Sequence, residues 1–283
     1  MAALTDLSDV VNRLTGGNSG TPETVFFFKD PRVDGAAASA TYGGFYNSLW
    51  KYEGIPGTGV TPTTVAIPTA TTAGGLQQTN PGGGRQKWLV SFAGAASTPG
   101  ALILYDRLLH IGGLDGTSIT AQTVGGTITR YNTNGTCVGN QIWAEIYTTV
   151  GSTVRSIVAS YTNQAGTSGQ TSIGGSDFGG PNTNGTKNQM MPINLISGDT
   201  GVQAVASVTL SASTGTAGNF GITIVRPLAI LRLPGQGTPT CLDLMTGMPG
   251  PVEILTDACL SMMWISNTTT VPRIFGSCQF IES

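Results

Sequence analysis

Charge is the first thing this chain lacks. Only 10% of its 283 residues are Asp, Glu, Lys or Arg, against about 25% in an ordinary globular domain. Thirteen basic and fifteen acidic side chains leave a formal net charge of −2. The basic residues are scattered, with Arg85 and Lys87 the tightest pair, so there is no cationic stripe with which to neutralise phosphates. Nucleic acid is therefore not an expected partner. Hydrophobic residues make up 39%, too many for a chain kept unfolded by low hydrophobicity and high charge.

Chemistry-bearing side chains are equally sparse. There is one histidine, His110, and there are four cysteines, Cys137, Cys241, Cys259 and Cys278, with no Cys-x-x-Cys pair. Zinc sites need ligands at closer spacing or more histidine. Disulfide frameworks are denser and accompany secretion, so the cysteines are expected to be reduced and mostly buried as small hydrophobes. No apolar run approaches the ~18 residues of a membrane span. The opening Met-Ala-Ala-Leu-Thr-Asp has no basic region before an apolar stretch, and a signal peptide is not expected. No membrane partner is expected.

What the chain has in excess is glycine and threonine, 41 of each. Leu4, Leu7, Val10, Val11 and Leu14 recur at three- and four-residue steps, predicting a helix over Ala2–Leu14. Thr5 or Ser8 is the expected cap, Asp6 and Asp9 suit the dipole, and Gly16-Gly17 stops it. Val25–Phe28 reads as a short buried strand, and Tyr42, Phe45, Tyr46, Leu49 and Trp50 have helical spacing. Gly54–Gly84 is rich in Gly, Pro and Thr and reads as an extended arm or long loop lying along a neighbouring subunit. Strands are expected at 87–92, 127–131, 141–150, 153–162, 202–210 and 220–233, with two or three more after Cys241. Gly151-Ser152 between two of them predicts a type II′ hairpin. Asn-Thr-Asn-Gly-Thr occurs at 132–136 and again at 182–186, as turns of a duplicated β unit would. The expected fold is mainly β: an antiparallel β-sandwich or jelly-roll-like body over 86–283, behind a short helix and arm over 1–85.

Asp106, His110 and Asp115, within Tyr105–Gly116, are the densest group that could move a proton or hold a metal. Their spacing matches no metal signature; the simpler reading is an amphipathic element running into a glycine turn, with Asp106 and Arg107 as surface charges. No serine sits in Gly-x-Ser-x-Gly, and no two carboxylates stand out as a glycosidase pair. Gly82-Gly83-Gly84-Arg85 lacks the Lys-Ser/Thr of a phosphate loop and reads as a bend. Asn134, Asn184 and Asn267 fit Asn-x-Ser/Thr without a secretion context to give the match meaning. Trp50, Trp88, Trp143 and Trp264 are spread as core residues are. No catalytic, cofactor-binding or metal-ligating residues are nominated, and no cofactor is expected.

The Gly/Thr/Ala-rich composition, the Tyr105–Gly116 segment, the glycine-punctuated strands around Ile142–Tyr161 and the run Gly221-Ile-Thr-Ile-Val-Arg-Pro together resemble virion structural proteins of tailed bacteriophages. The resemblance is one of style over most of the chain, without a diagnostic motif. It implies a β-rich, cofactor-free protein assembled in the host cytoplasm, a homo-oligomer whose partners are other virion proteins of shell or tail. A capsid decoration or cement protein is the expectation. The alternatives are a tail, adaptor or fibre component, and a receptor- or glycan-binding module using loops 163–188 and 211–219. A glycan depolymerase is the enzyme reading.

Overall fold

A computed structural model describes residues 4, 6–17, 22–31, 44–174, 177–179, 185–267 and 272–283. One helix, α1 (Leu7–Leu14), precedes β1 (Glu23–Lys29), β2 (Tyr46–Ser48), β3 (Gly54–Ile55) and β4 (Lys87–Ala96). The middle holds β5 (Gly100–Leu114), β6 (Gln122–Thr123), β7 (Gln141–Thr148), β8 (Ile157–Asn163), β9 (Gln170–Thr171) and β10 (Gln189–Ile193). Then come β11 (Val202–Leu210), β12 (Asn219–Leu233), β13 (Thr240–Asp243), β14 (Val252–Ile254), β15 (Leu260–Ser266) and β16 (Ile274–Glu282). The expected mainly β, antiparallel fold with a short N-terminal helix is what the chain adopts.

Three sheets form. Strands β10-β2-β15-β5-β12-β7 close into a barrel. A six-stranded sheet in the order β13-β4-β16-β1-β3, with β14 beside β4, packs on one side. A four-stranded sheet, β6-β11-β8-β9, packs on the other. Barrel strands are covered on both faces, which explains why β5 and β7 are apolar or buried almost throughout. Alternation on β7 divides the work: Ile142, Ala144 and Ile146 join the core under the four-stranded sheet, while Trp143, Glu145 and Tyr147 turn into the barrel. A second core, with Phe27, Phe92, Leu102, Leu231 and Phe280, joins the barrel to the six-stranded sheet.

Several local expectations are corrected. The cap of α1 is Asp6, whose carboxylate accepts from Asp9 N at 2.9 Å; Thr5 lies outside the described residues. β1 alternates rather than being buried throughout: Phe27 is buried and Phe26 and Phe28 are exposed. Tyr46–Ser48 is a strand, not a helix, because it bridges β15 and β10 and completes the barrel; Tyr42 is outside the described residues. In 127–131 only Thr127 makes a bridge, to Ala204. Among the described residues, four strands, not two or three, follow residue 239.

The hairpin at Gly151-Ser152 does not form. β7 belongs to the barrel and β8 to the four-stranded sheet, so this segment carries the chain from one layer to the next. Gly151 is glycine because the 214–216 loop presses on it: its N–H donates to Thr216 O, and a Cβ would sit 1.9 Å from Thr214 O. Thr214 is accordingly buried, within the 211–219 loop named above as a candidate binding loop.

In β11, bulges at Val202/Ala204 and Val205/Ser207 shift the phase. Val202, Val205, Val208 and Leu210 are therefore the buried residues, and Ala206 is exposed. Pro227 sits inside β12 without breaking a ladder, since pairing to β7 ends at Val225 and only β5 remains beside it.

The Gly54–Gly84 segment, read as an arm on a neighbour, folds against its own chain. Ala66 bridges His110, and Leu76 N donates to Leu260 O. The first copy of the repeated pentapeptide is a Thr133–Thr136 turn; residues 182–184 of the second lie outside the described residues.

Candidate functional site

The charges read as surface residues are the most deeply buried in the protein. Arg107 on β5 and Glu145 on β7 meet inside the barrel, with Arg107 Nη2 2.6 and 2.8 Å from the two carboxylate oxygens. Glu145 also accepts from Ser48 Oγ on β2 at 2.5 Å, Thr223 Oγ1 on β12 at 2.8 Å and Tyr147 OH at 3.0 Å. Arg107 Nη1 donates to Thr223 Oγ1 and to His110 Nδ1, at 3.2 and 3.0 Å. The guanidinium carbon lies 4.3 Å from the Trp50 ring centre, a cation–π contact. Four barrel strands thus converge on one ion pair.

The protonation states follow from this geometry. Arginine keeps its proton, so His110 Nδ1 accepts, and the ring is neutral with its proton on Nε2. Burial, and then the Arg107 charge, lower the His110 pKa to about 3. Burial pushes the Glu145 carboxyl up, but Arg107 and the hydrogen bonds from Ser48 and Thr223 hold it below the ordinary carboxylate value. Tyr147 is pushed well up by burial and by Glu145. The imidazole and the carboxylate are thus tied into hydrogen bonds of the barrel itself.

Asp106 points the other way from its neighbour and pairs with Arg130, bidentate at 2.8 Å on both oxygens, while Cys259 N donates at 2.9 Å. Burial still leaves its pKa above the ordinary value. Asp115 belongs to a separate turn, accepting from Thr117 N and Oγ1 at 2.6 Å. The three residues singled out from sequence therefore do not converge. Among the described residues, no group of three or more His, Cys, Asp and Glu side chains is placed to hold a metal. Glu145, Arg130, Thr223 and Ser48 were missed as partners; the alternation Trp143-Glu145-Tyr147 was the one signal, a carboxylate between aromatics on an inward face.

An open groove of about 710 Å³ lies at one mouth of the barrel, walled by Tyr46, Ile103, Trp143, Pro227 and Met263. Tyr46 and Trp143 meet edge to face at 4.8 Å. Trp143 Nε1 is taken by Gln141, and Asp199 by Tyr161 and Asn163, so much of the polar rim is committed within the protein. Trp50 and Trp264 are buried, as core residues are. Gly82–Arg85 is a turn, closed by Arg85 N on Gly82 O at 3.0 Å. Cys137, Cys259 and Cys278 are free and buried, and Cys241 is free and exposed.

No protein-family model matches the chain, and comparison with curated proteins gives no match. Among solved structures, one of infectious bursal disease virus, Gx strain, shares 12% identity at a TM-score of 0.23, over 93% of this chain and 79% of that one. A subviral particle of VP2 from the same virus shares 11% identity at a TM-score of 0.22, over 93% and 80% of the two chains. Likeness at this level does not define a shared fold.

Proposed function

We propose that this protein is a non-enzymatic structural component of a virion, a decoration or cement protein that joins other virion proteins through subunit contacts. One observation carries the reading. The Arg107–Glu145 pair is sealed inside the barrel, with Glu145 accepting from Arg107, Ser48, Tyr147 and Thr223, while the outer face of the six-stranded sheet presents large apolar side chains such as Phe26 and Phe275 with little charge to desolvate. Such a division suits a protein whose work is surface contact. Residues 1–85 would supply contacts and 86–283 the body, a functional division rather than a folding boundary, since β1 and β2 are hydrogen-bonded into the same sheets as the body. Assembly in a host cytoplasm agrees with reduced cysteines. A second reading, a glycan-binding module, would place its ligand in the groove at the barrel mouth, where Tyr46 is half-buried and Trp143 forms part of the floor. Mass spectrometry of purified particles tests the first: the protein is expected among the virion components in near-stoichiometric copies, and its absence would overturn the reading.

A further inference from the structure

The outer face of the six-stranded sheet is built from three rows of directly opposed residues. Ile55, Phe28, Phe275 and Ala95 form one, Phe26, Ser277, Ala93 and Cys241 the next, and Thr24, Gln279, Ser91 and Asp243 the third. Across this face lies α1, seated by Val10 on Val90 and Ile281. Between the helix and the sheet runs a trough of about 610 Å³, floored by small residues such as Ser91, Ala93 and Ser277 and edged by Met245. The apolar edge of α1 that borders it is uncovered, with Leu7 47%, Val11 54% and Leu14 38% exposed.

We infer that this face pairs with a second copy of the chain, each α1 lying in the trough of the other around a two-fold axis. The argument rests on the self-assembly part of the virion reading and on three features. First, an isologous interface needs one patch that carries both the projection and the recess, and this patch has both, the exposed edge of α1 and the trough beside it. Second, the area is right. Phe26, Phe28, Phe275, Ile55, Leu7, Val11, Leu14 and Met245 are each between 38% and 73% exposed. Taking roughly 150–200 Å² for a fully exposed large apolar side chain, they offer on the order of 700 Å². That exceeds the ~300–600 Å² patch of a typical monomer and approaches the ~800 Å² each partner contributes to a stable interface. Third, little charge must be desolvated: of the twelve side chains in the three rows only Asp243 is ionic, and it already accepts from Met245 N, Thr246 N and Thr246 Oγ1.

Cys241 is a built-in reporter, because it lies in the trough and Cys137, Cys259 and Cys278 are buried. The test combines light scattering of the full chain with the rate at which Cys241 reacts with a maleimide. The wild type is expected to be a dimer at micromolar concentration. Val11→Asp and Phe26→Asp, both at exposed positions, are expected to be monomers that still unfold cooperatively and label at least tenfold faster, their melting lowered only by the lost pairing. A wild-type monomer overturns the inference, whether its Cys241 is reactive or is shielded by the chain's own segments. So does an oligomer whose Cys241 labels as fast as in the variants. A monomer that nonetheless binds virions would sink the pairing and leave the virion reading standing; a dimer through this face that never joins a particle would do the reverse.

Discussion

Arg107 and Glu145, 38 residues apart, form an ion pair that solvent does not reach, one guanidinium nitrogen lying against both carboxylate oxygens. Each lies on its own barrel strand, and Ser48 and Thr223 tie in two more. Taking both charges out of water is costly, and their attraction repays it only with good geometry and further hydrogen bonds. Glu145 has those, accepting also from Ser48, Tyr147 and Thr223, so the pair ties four barrel strands together.

Removing one partner should therefore cost far more than removing both. Glu145→Leu, leaving Arg107 charged and buried, is expected to lose about 3–5 kcal/mol of stability. The double variant Arg107→Met, Glu145→Leu should recover much of this. Urea unfolding of the two single variants and the double measures the coupling; simple additivity would show that the pair does not act as a unit.

Acid should unfold the protein in a window set first by His110. The folded chain keeps His110 neutral down to about pH 3, whereas the unfolded chain binds that proton near pH ~6.5. Between these values the unfolded state holds the extra proton, so stability falls as pH drops, by up to ~1.4 kcal/mol per pH unit. Glu145, held below its ordinary value, adds to the loss at lower pH. Asp106, raised by burial, opposes it. His110→Gln should flatten the profile between pH 4 and 6.5, read by denaturant midpoints at each pH; an unchanged slope would assign the titration elsewhere.

Lys29 gives the opposite end of the scale. Its ammonium is buried against Tyr52 O and Pro56 O, at 2.8 and 2.7 Å, and burial lowers its pKa to about 8. From there to ~10.4 the unfolded chain binds a proton the folded chain has released. Stability should rise between pH 8 and 9.5, before Tyr131 and Tyr161, both raised to about 12, reverse the trend. Lys29→Met should abolish the rise, with thermal melts across this range as the check.

Gly151→Ala tests the crossing between layers. A methyl group 1.9 Å from Thr214 O cannot be accommodated without moving backbone, and a loss of about 1–3 kcal/mol or more is expected. Gly57→Ala, with nothing within 4 Å of its new Cβ, should change stability by less than ~0.5 kcal/mol. Equal effects would mean that the 214–216 loop does not press on Gly151.

Much of the β content was readable because β4, β7 and β11 carry local patterns, and the two faces of β7 divide as their alternation implies. Barrel closure was not readable. It depends on β2, three residues long, reaching β15 and β10 from far away in sequence, and no local pattern encodes such a pairing. The same distance hid the partners of Asp106 and Arg107: two adjacent charges look like surface until one finds Arg130 and the other Glu145. Gly151-Ser152 has turn chemistry, yet glycine there answers a tertiary contact. In β11 the bulges moved the buried phase, which alternation alone could not show.

Imaging purified virion shells with and without added protein decides whether the chain decorates a particle. Regular extra density at symmetry-related positions is expected on the shells given the protein. Shells that gain no density, with the protein left free in solution, would contradict the proposed decoration role.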